Sequence, residues 1–282
     1  MAVFFKRLFQ VIAGLLALVI VIIAAAVILI GYTDAGANFA VRQITKRIAS
    51  PDFAVHVGRV SAPLTGNFTV DSVTVSDIKG PYATVEGIAL DWSPMALFRG
   101  RFAAESLSAR TVSLSRLPVP GKPAPEKAQS SGGFSLPIGI DIEKFDFPEI
   151  DIAEAVAGEA YPLSASGHVS AVTDRISTAL DIEHRARAGT YVKADIDYAP
   201  VENLLDITAE VNELEGGMVA TLLKLPGTPA LNIAIDGDGP LSDWKGQLTA
   251  ALSGEKLGEI DIRHQLNDRD ERTVTVTGQG EF

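Results

Sequence analysis

The sequence predicts a mainly β protein: an N-terminal transmembrane helix and a short amphipathic helix, followed by an elongated antiparallel sheet folded lengthwise into a U-shaped β-groove. Three observations predict it. Residues 11–30, VIAGLLALVIVIIAAAVILI, carry no charged or polar side chain. From residue 54 onward the apolar residues recur at every second position. Clusters of Gly, Asn, Asp and Pro interrupt those runs at short intervals.

The first element, residues 1–31, combines a cytoplasmic N-terminus with a membrane anchor. As a helix rising ~1.5 Å per residue, the apolar stretch spans ~30 Å, one bilayer crossing. A cleaved signal peptide is the competing reading, because Ala35-Gly36-Ala37 are small. An apolar region this long, ending well before that site, favours an uncleaved anchor. Lys6 and Arg7 precede it and Asp34 is the first charge after it, so the N-terminus is expected in the cytoplasm and the bulk of the chain outside it.

Residues 32–50 come next. Within ANFAVRQITKRIAS, Phe39, Ile44 and Ile48 fall near one helical face with Arg42, Lys46 and Arg47 largely off it. This is an amphipathic helix that stops before Pro51, either a stalk or a helix lying on lipid.

From residue 54 the period changes from 3.6 to 2, within a first sheet segment of residues 51–118. Val55 and Val57, then Val73 and Val75, then Tyr82, Ile88, Leu90 and Trp92 mark its inward positions. In residues 102–117 the apolar set moves from Leu107 and Ala109 to Val112 and Leu114, a phase change that signals a bulge or bend. Around Pro94, the residues Met95, Leu97 and Phe98 read as an apolar turn closing the near end of the sheet. Residues 119–134, rich in Pro, Gly and Ser, read as a linker.

A second sheet segment, residues 135–282, alternates more cleanly. Its inward set is Ile176, Leu180 and Ile182; Ile196; Leu205, Ile207 and Val211; Ile233; Leu248; Ile260 and Ile262; and Val274. Asp181, Glu183, Asp195, Asp206 and Glu210 occupy the alternate positions, as in antiparallel strands wet on one side. Turns are expected at Gly189, Ala199-Pro200, Gly227 to Pro229, Asp236 to Pro240 and Gly254, and a short helix near 214–225.

Charge and residue types exclude several classes. The net charge of −11 divides into +4 over residues 1–60 and −15 beyond, so an acidic exported body is a poor fit to nucleic acid. No cysteine is present, which removes thiol chemistry. His56, His168, His184 and His264 lie in separate strands without zinc-ligand spacing. The acidic run from Asp141 to Glu154 alternates with Ile140, Ile142, Phe145, Phe147, Ile150 and Ile152, which is the pattern of a solvated strand face. Nucleophile elbows, phosphate loops and dinucleotide fingerprints are missing. The expectation is a protein without catalytic residues, metal or cofactor.

One-faced strands need a cover, and two short helices are too few. The sheet must close on itself as a sandwich or barrel, or fold into a groove that something else fills. Aromatic residues make up only 7% of the chain, so the inward face is aliphatic, a better match to acyl chains than to sugars or bases. At ~0.8 kcal/mol per CH₂, exposing a chain of about sixteen carbons to water costs on the order of 12 kcal/mol, which a continuous apolar face would largely remove.

The order of blocks carries a family resemblance. An anchor, an amphipathic helix, VHVGRV (55–60), GNFTVDSVTVSDI (66–78), IALDWSPMALFRGR (88–101) and SLSARTVSLSRLP (106–118) together resemble the N-terminal region of the TamB family. That family comprises inner-membrane subunits of bacterial translocation and assembly modules, related to AsmA-type proteins and bridge-like lipid carriers. The resemblance covers residues 1–118 and is architectural beyond residue 135. It implies a bacterial inner-membrane protein, single-pass, with its bulk in the periplasm. It further implies phospholipid transport to the outer membrane or assembly of outer-membrane β-barrels, and an outer-membrane partner of the TamA type. Family chains are several times longer, so it also implies a fragment, or a protein working with a second chain. An AsmA-like envelope protein, or a closed β-sandwich docking module on a membrane stalk, is the alternative.

Overall fold

The period-two alternation becomes strand from Ala54 onward. A computed structural model of the chain describes residues 53–61, 66–119, 138–172, 174–266 and 272–280. The anchor, the amphipathic helix with Phe39, Ile44 and Ile48, and nearly all of the linker lie outside the described residues. Among the described residues no helix is long and apolar enough to cross a membrane.

The strands are β1 (Ala54–Val57), β2 (Val60–Ser61), β3 (Asn67–Asp77), β4 (Gly80–Ser93), β5 (Arg101–Leu114), β6 (Gly139–Ile152) and β7 (Tyr161–Val172). They continue with β8 (Arg175–His184), β9 (Tyr191–Ala199), β10 (Leu204–Glu213), β11 (Leu231–Asp238), β12 (Asp243–Leu252), β13 (Glu255–Leu266) and β14 (Arg272–Gly280). Among the described residues, three helical turns interrupt them: α1 (Pro94–Leu97), α2 (Glu154–Ala157) and α3 (Met218–Leu222). All the strands belong to one open, mostly antiparallel 14-stranded sheet in near-sequential order, with β2 alone off the path and paired to β3.

One pair departs from the antiparallel expectation. The Gly139 amide donates to the Gly100 carbonyl, and Ala153 to Leu114, both at 2.9 Å. These bonds join corresponding ends of β5 and β6, so the two strands run parallel. Parallel neighbours need a crossover of a dozen or more residues, and the Pro, Gly and Ser-rich stretch between Leu114 and Gly139 supplies that length.

The chain forms two compact units, one of residues 1–139 and 146–161, the other of residues 140–145 and 162–282. In the first, one sheet face is buried. Phe102 is fully covered, Val60 and Val85 nearly so, and Trp92 stacks on Phe102 with ring centroids 5.7 Å apart and planes 20° from parallel.

The buried face changes parity at one level across this unit. Val57, Val73, Val85 and Val112 are successive cross-strand partners, as are Val60, Val70, Ile88 and Ala109. Between the two lines each strand spends an odd residue, and the register on either side is kept. The phase change expected in β5 is therefore shared by its neighbours. It also corrects the reading of β4, where Ala83 and Val85, not Tyr82, join Ile88, Leu90 and Trp92 inside. Gly87 makes the step possible in β4: its φ is +62°, and a Cβ there would lie 2.9 Å from that of Arg110. A true register shift occurs nearer the turn, between Asp91 and Trp92.

The turn after β4 also differs from expectation. Residues Pro94–Leu97 form a helical turn with proline at its start, but Met95 and Phe98 are 67% and 86% exposed. They face solvent and close nothing.

Beyond β5, Arg116 locks the chain back onto the β3–β4 turn. Its guanidinium donates to both Asp77 carboxylate oxygens, at 2.6 and 2.5 Å, and to the Gly80 carbonyl at 2.6 Å. The Asp77 side chain is 2% exposed and also accepts the Lys79 and Val119 amides at 2.7 Å. The Arg116 hydrogen bond, reinforced by those amides, holds the Asp77 carboxyl well below the usual carboxylate range. A carboxyl whose folded pKa is depressed contributes stability above its unfolded pKa of about 4 and loses it as pH falls toward the folded value. Asp77→Asn is therefore expected to lower the denaturation midpoint at neutral pH, with the gap from the parent narrowing as the buffer is taken below pH ~4. A gap unchanged by acid would remove the charged pair as its cause.

Candidate functional site

The second unit holds the twofold pattern in its purest form, and its register collects the apolar residues on one face. Leu180, Ala194, Ala209, Ile235, Leu248 and Ile260 are successive cross-strand partners from β8 to β13. On one side of this line run Ile182, Val192, Val211, Ile233 and Ala250. On the other run Thr178, Ile196, Ile207, Gly237, Gly246, Ile262 and Val276. A further line brings Ile176, Tyr198 and Leu205 together, and another Trp244, His264 and Val274.

Every inward position expected from the sequence of this segment lies on that face. Ile176, Leu180, Ile182, Ile196, Leu205, Ile207, Val211, Ile233, Leu248, Ile260 and Ile262 are each only partly covered. Val274 is 60% exposed, and its neighbour Val276 61%. This contrasts with the first unit, where the same kind of face is buried. Large contiguous exposed apolar surfaces are uncommon on soluble proteins.

The opposite face is charged. Arg175 pairs with Asp197, Lys193 with Asp181 at 3.4 Å, and Arg263 with Asp243 at 2.7 Å. Tyr191 donates to Glu210 at 2.8 Å, and Asn232 bridges Glu210 and Asn212. Pairs this exposed add little stability; they keep that face wet and fix which side of each strand looks outward.

Two structures rise from the apolar face. At one end of the strands, α3 sits in the long connection from β10 to β11. Glu213 follows Val211 on the apolar side and accepts the Val219 amide at 2.9 Å and the Ala220 amide at 3.3 Å. It replaces the cap that Gly217 lacks, and Gly217 must be glycine because a Cβ would lie 2.3 Å from the Glu213 carboxylate. Ala220 and Leu231 are buried there, along with Thr190 and His184. His184 Nδ1 accepts the Ala186 and Arg187 amides at 3.1 and 3.0 Å, so the neutral ring carries its proton on Nε2. The helix is shorter than the expected 214–225.

At the other end lies Trp244, 7% exposed, its Nε1 donating to the Leu205 carbonyl at 3.0 Å. Its ring rests on Gly237 and Gly246, a cross-strand pair, and a Cβ on either would come within 2.3 Å of it. Sequence reasoning missed this feature. The sequence pattern places Gly237 in a turn at Asp236 to Pro240, whereas β11 continues to Asp238. The signal was available, since glycine inside a strand marks a close approach of other atoms.

The histidines remain apart. His168 faces Ser177 at 3.3 Å, and His264 Nδ1 faces the Leu241 carbonyl at 2.5 Å. Among the described residues no group of three or more His, Asp or Glu is placed to hold a metal ion. Comparisons with protein-family models, curated proteins and solved structures found no match.

Proposed function

We propose that this chain is a TamB-like, inner-membrane-anchored periplasmic protein whose sheet folds into a U-shaped groove and shields phospholipid acyl chains. In that role it supports lipid delivery to the outer membrane, assembly of outer-membrane β-barrels, or both, beside a barrel partner of the TamA type. The observation that carries the reading is the partly exposed aliphatic face of β8–β14 backed by a charged one. Aliphatic contact of this kind removes an acyl chain from water without a tight site at any one point. The order of blocks in residues 1–118 supports the family, and the apolar stretch 11–30 supports the anchor.

Photo-crosslinking side chains placed at Leu180, Ile207 and Ile262 are expected to capture lipid in cells, and those at Asp181 and Asp206 to capture little. Equal lipid adducts at both sets would sink the proposal. A second reading, a docking module for protein partners, is favoured by the first unit, where most of the apolar positions described from β1 to β5 are buried and so closed to lipid. Protein adducts without lipid adducts at the three inward sites would select it.

A further inference from the structure

We propose that α1 is a membrane-docking turn: Met95 and Phe98 enter the acyl boundary of an anionic phospholipid surface while Arg99 and Arg101 bind its phosphates. The inference uses none of the β8–β14 face and is independent of the acyl-contact reading. Met95 and Phe98 are three residues apart on a helical turn and so share one side of it, and Arg99 follows directly. The two apolar side chains are 67% and 86% exposed, and Arg99 is exposed beside them. No residue of α1 is buried, so the sheet beneath leaves this side of the turn to another surface.

Charge selects that surface. Residues 92–104 hold Arg99 and Arg101 and no acidic residue, within a body that carries −15 beyond residue 60. Arg110, Arg116, Arg175 and Arg263 each pair with a carboxylate of the chain, whereas among the described residues Arg99 and Arg101 have no ion-pair partner. Apolar side chains next to unpaired arginines match a lipid interface, with guanidinium on phosphate and the ring deeper. The sequence also supplies a bilayer to dock on, expected around residues 11–30, which carry no charged or polar side chain. The turn is built to enter such an interface. The Arg99 and Gly100 amides donate to the Ala96 and Leu97 carbonyls, and the Gly100 carbonyl accepts the Gly139 amide, each at 2.9 Å. These peptide groups carry their hydrogen bonds with them out of water, and the stacked Trp92 and Phe102 close the base of the turn.

The test uses the full chain reconstituted into phosphatidylcholine vesicles with or without phosphatidylglycerol, so that either the host vesicle or a neighbour can take the turn. The chain has no cysteine, so Met95→Cys gives a single attachment point for an environment-sensitive fluorophore. Brominated acyl chains are expected to quench that label when phosphatidylglycerol is present. A label at Val201→Cys should stay bright, because Val201 is 78% exposed in the β9–β10 turn but lies beside Glu202. Arg99→Gln should lower the docked-to-free ratio at position 95 about fivefold, the usual worth of one basic side chain at an anionic surface. Phe98→Ser should lower it about tenfold, near the low end of what burying that ring is worth. Met95, Phe98 and Arg99 all face solvent, so none of these changes touches the core. Quenching at position 95 that needs no phosphatidylglycerol, or that survives both substitutions, would overturn the proposal. Equal quenching at position 201 would do the same, and so would no quenching at either site, which would leave the turn to a protein partner.

Discussion

Ile207→Arg is expected to abolish most lipid capture on the apolar face while leaving the strand content of the protein unchanged. Ile207 lies between Ile196 and Gly237 in the cross-strand line next to Ala209, so a guanidinium there would stand in the middle of the apolar surface. Bringing Arg into contact with hydrocarbon costs about 3 kcal/mol on membrane-insertion scales, on the order of a hundredfold in occupancy. Asp206→Arg, one residue away on the charged face, is the control and should capture lipid as the parent does. Circular dichroism on both variants separates a lost contact from a lost fold. Undiminished lipid adducts at Leu180 and Ile262 in Ile207→Arg would show that acyl chains do not use this face.

The second large effect belongs to the first unit. Phe102 has no exposed surface and stacks on Trp92, so Phe102→Ala removes a whole ring from a closed core. Such truncations cost about 3–5 kcal/mol, from lost transfer energy and the cavity left behind. Because Trp92 borders that cavity, its emission followed during denaturation in a Trp244→Phe background reads the loss directly. A shift below about 1 kcal/mol, the usual scale for surface substitutions or less, would mean the ring is not part of a sealed core.

Much of this architecture was readable in advance, and the reasons differ by element. The strands of the second unit were legible because Val, Ile and Leu alternate with Asp, Glu and Thr over whole strands, so one face followed from parity alone. Parity carries no information on strand direction, which is why the parallel β5–β6 pair was invisible; its trace was the long linker, whose length suits a crossover. In β4 the aromatic Tyr82 shares the parity of Ile88 and masked the step at Gly87, since alanine at position 83 is a weak apolar signal. Met95 and Phe98 misled in the opposite way, because apolar type says nothing about which way a one-turn helix points. Trp244 and its glycine floor come together only through the β11–β12 register, which no local pattern encodes.

The shared parity step in the first unit has a consequence for how the sheet finds its alignment. In a uniformly alternating sheet, a strand that slips by two residues keeps every side chain on its proper side, so burial alone does not oppose the error. Across β1 to β5 the step supplies what alternation cannot. A two-residue slip of β4 against β3 would set Gly87 away from Asp71, and the strands would then bend at different heights with valines turned to water on one side of the mismatch. The second unit carries a register shift at Ala250/Ala251 of the β12–β13 pair, and its alignment falls otherwise to its turns and to the match of Trp244 with Gly237 and Gly246. The two halves of one continuous sheet thus guard against misfolding by different means: one through a crease common to its strands, the other through a key that fits a single lock.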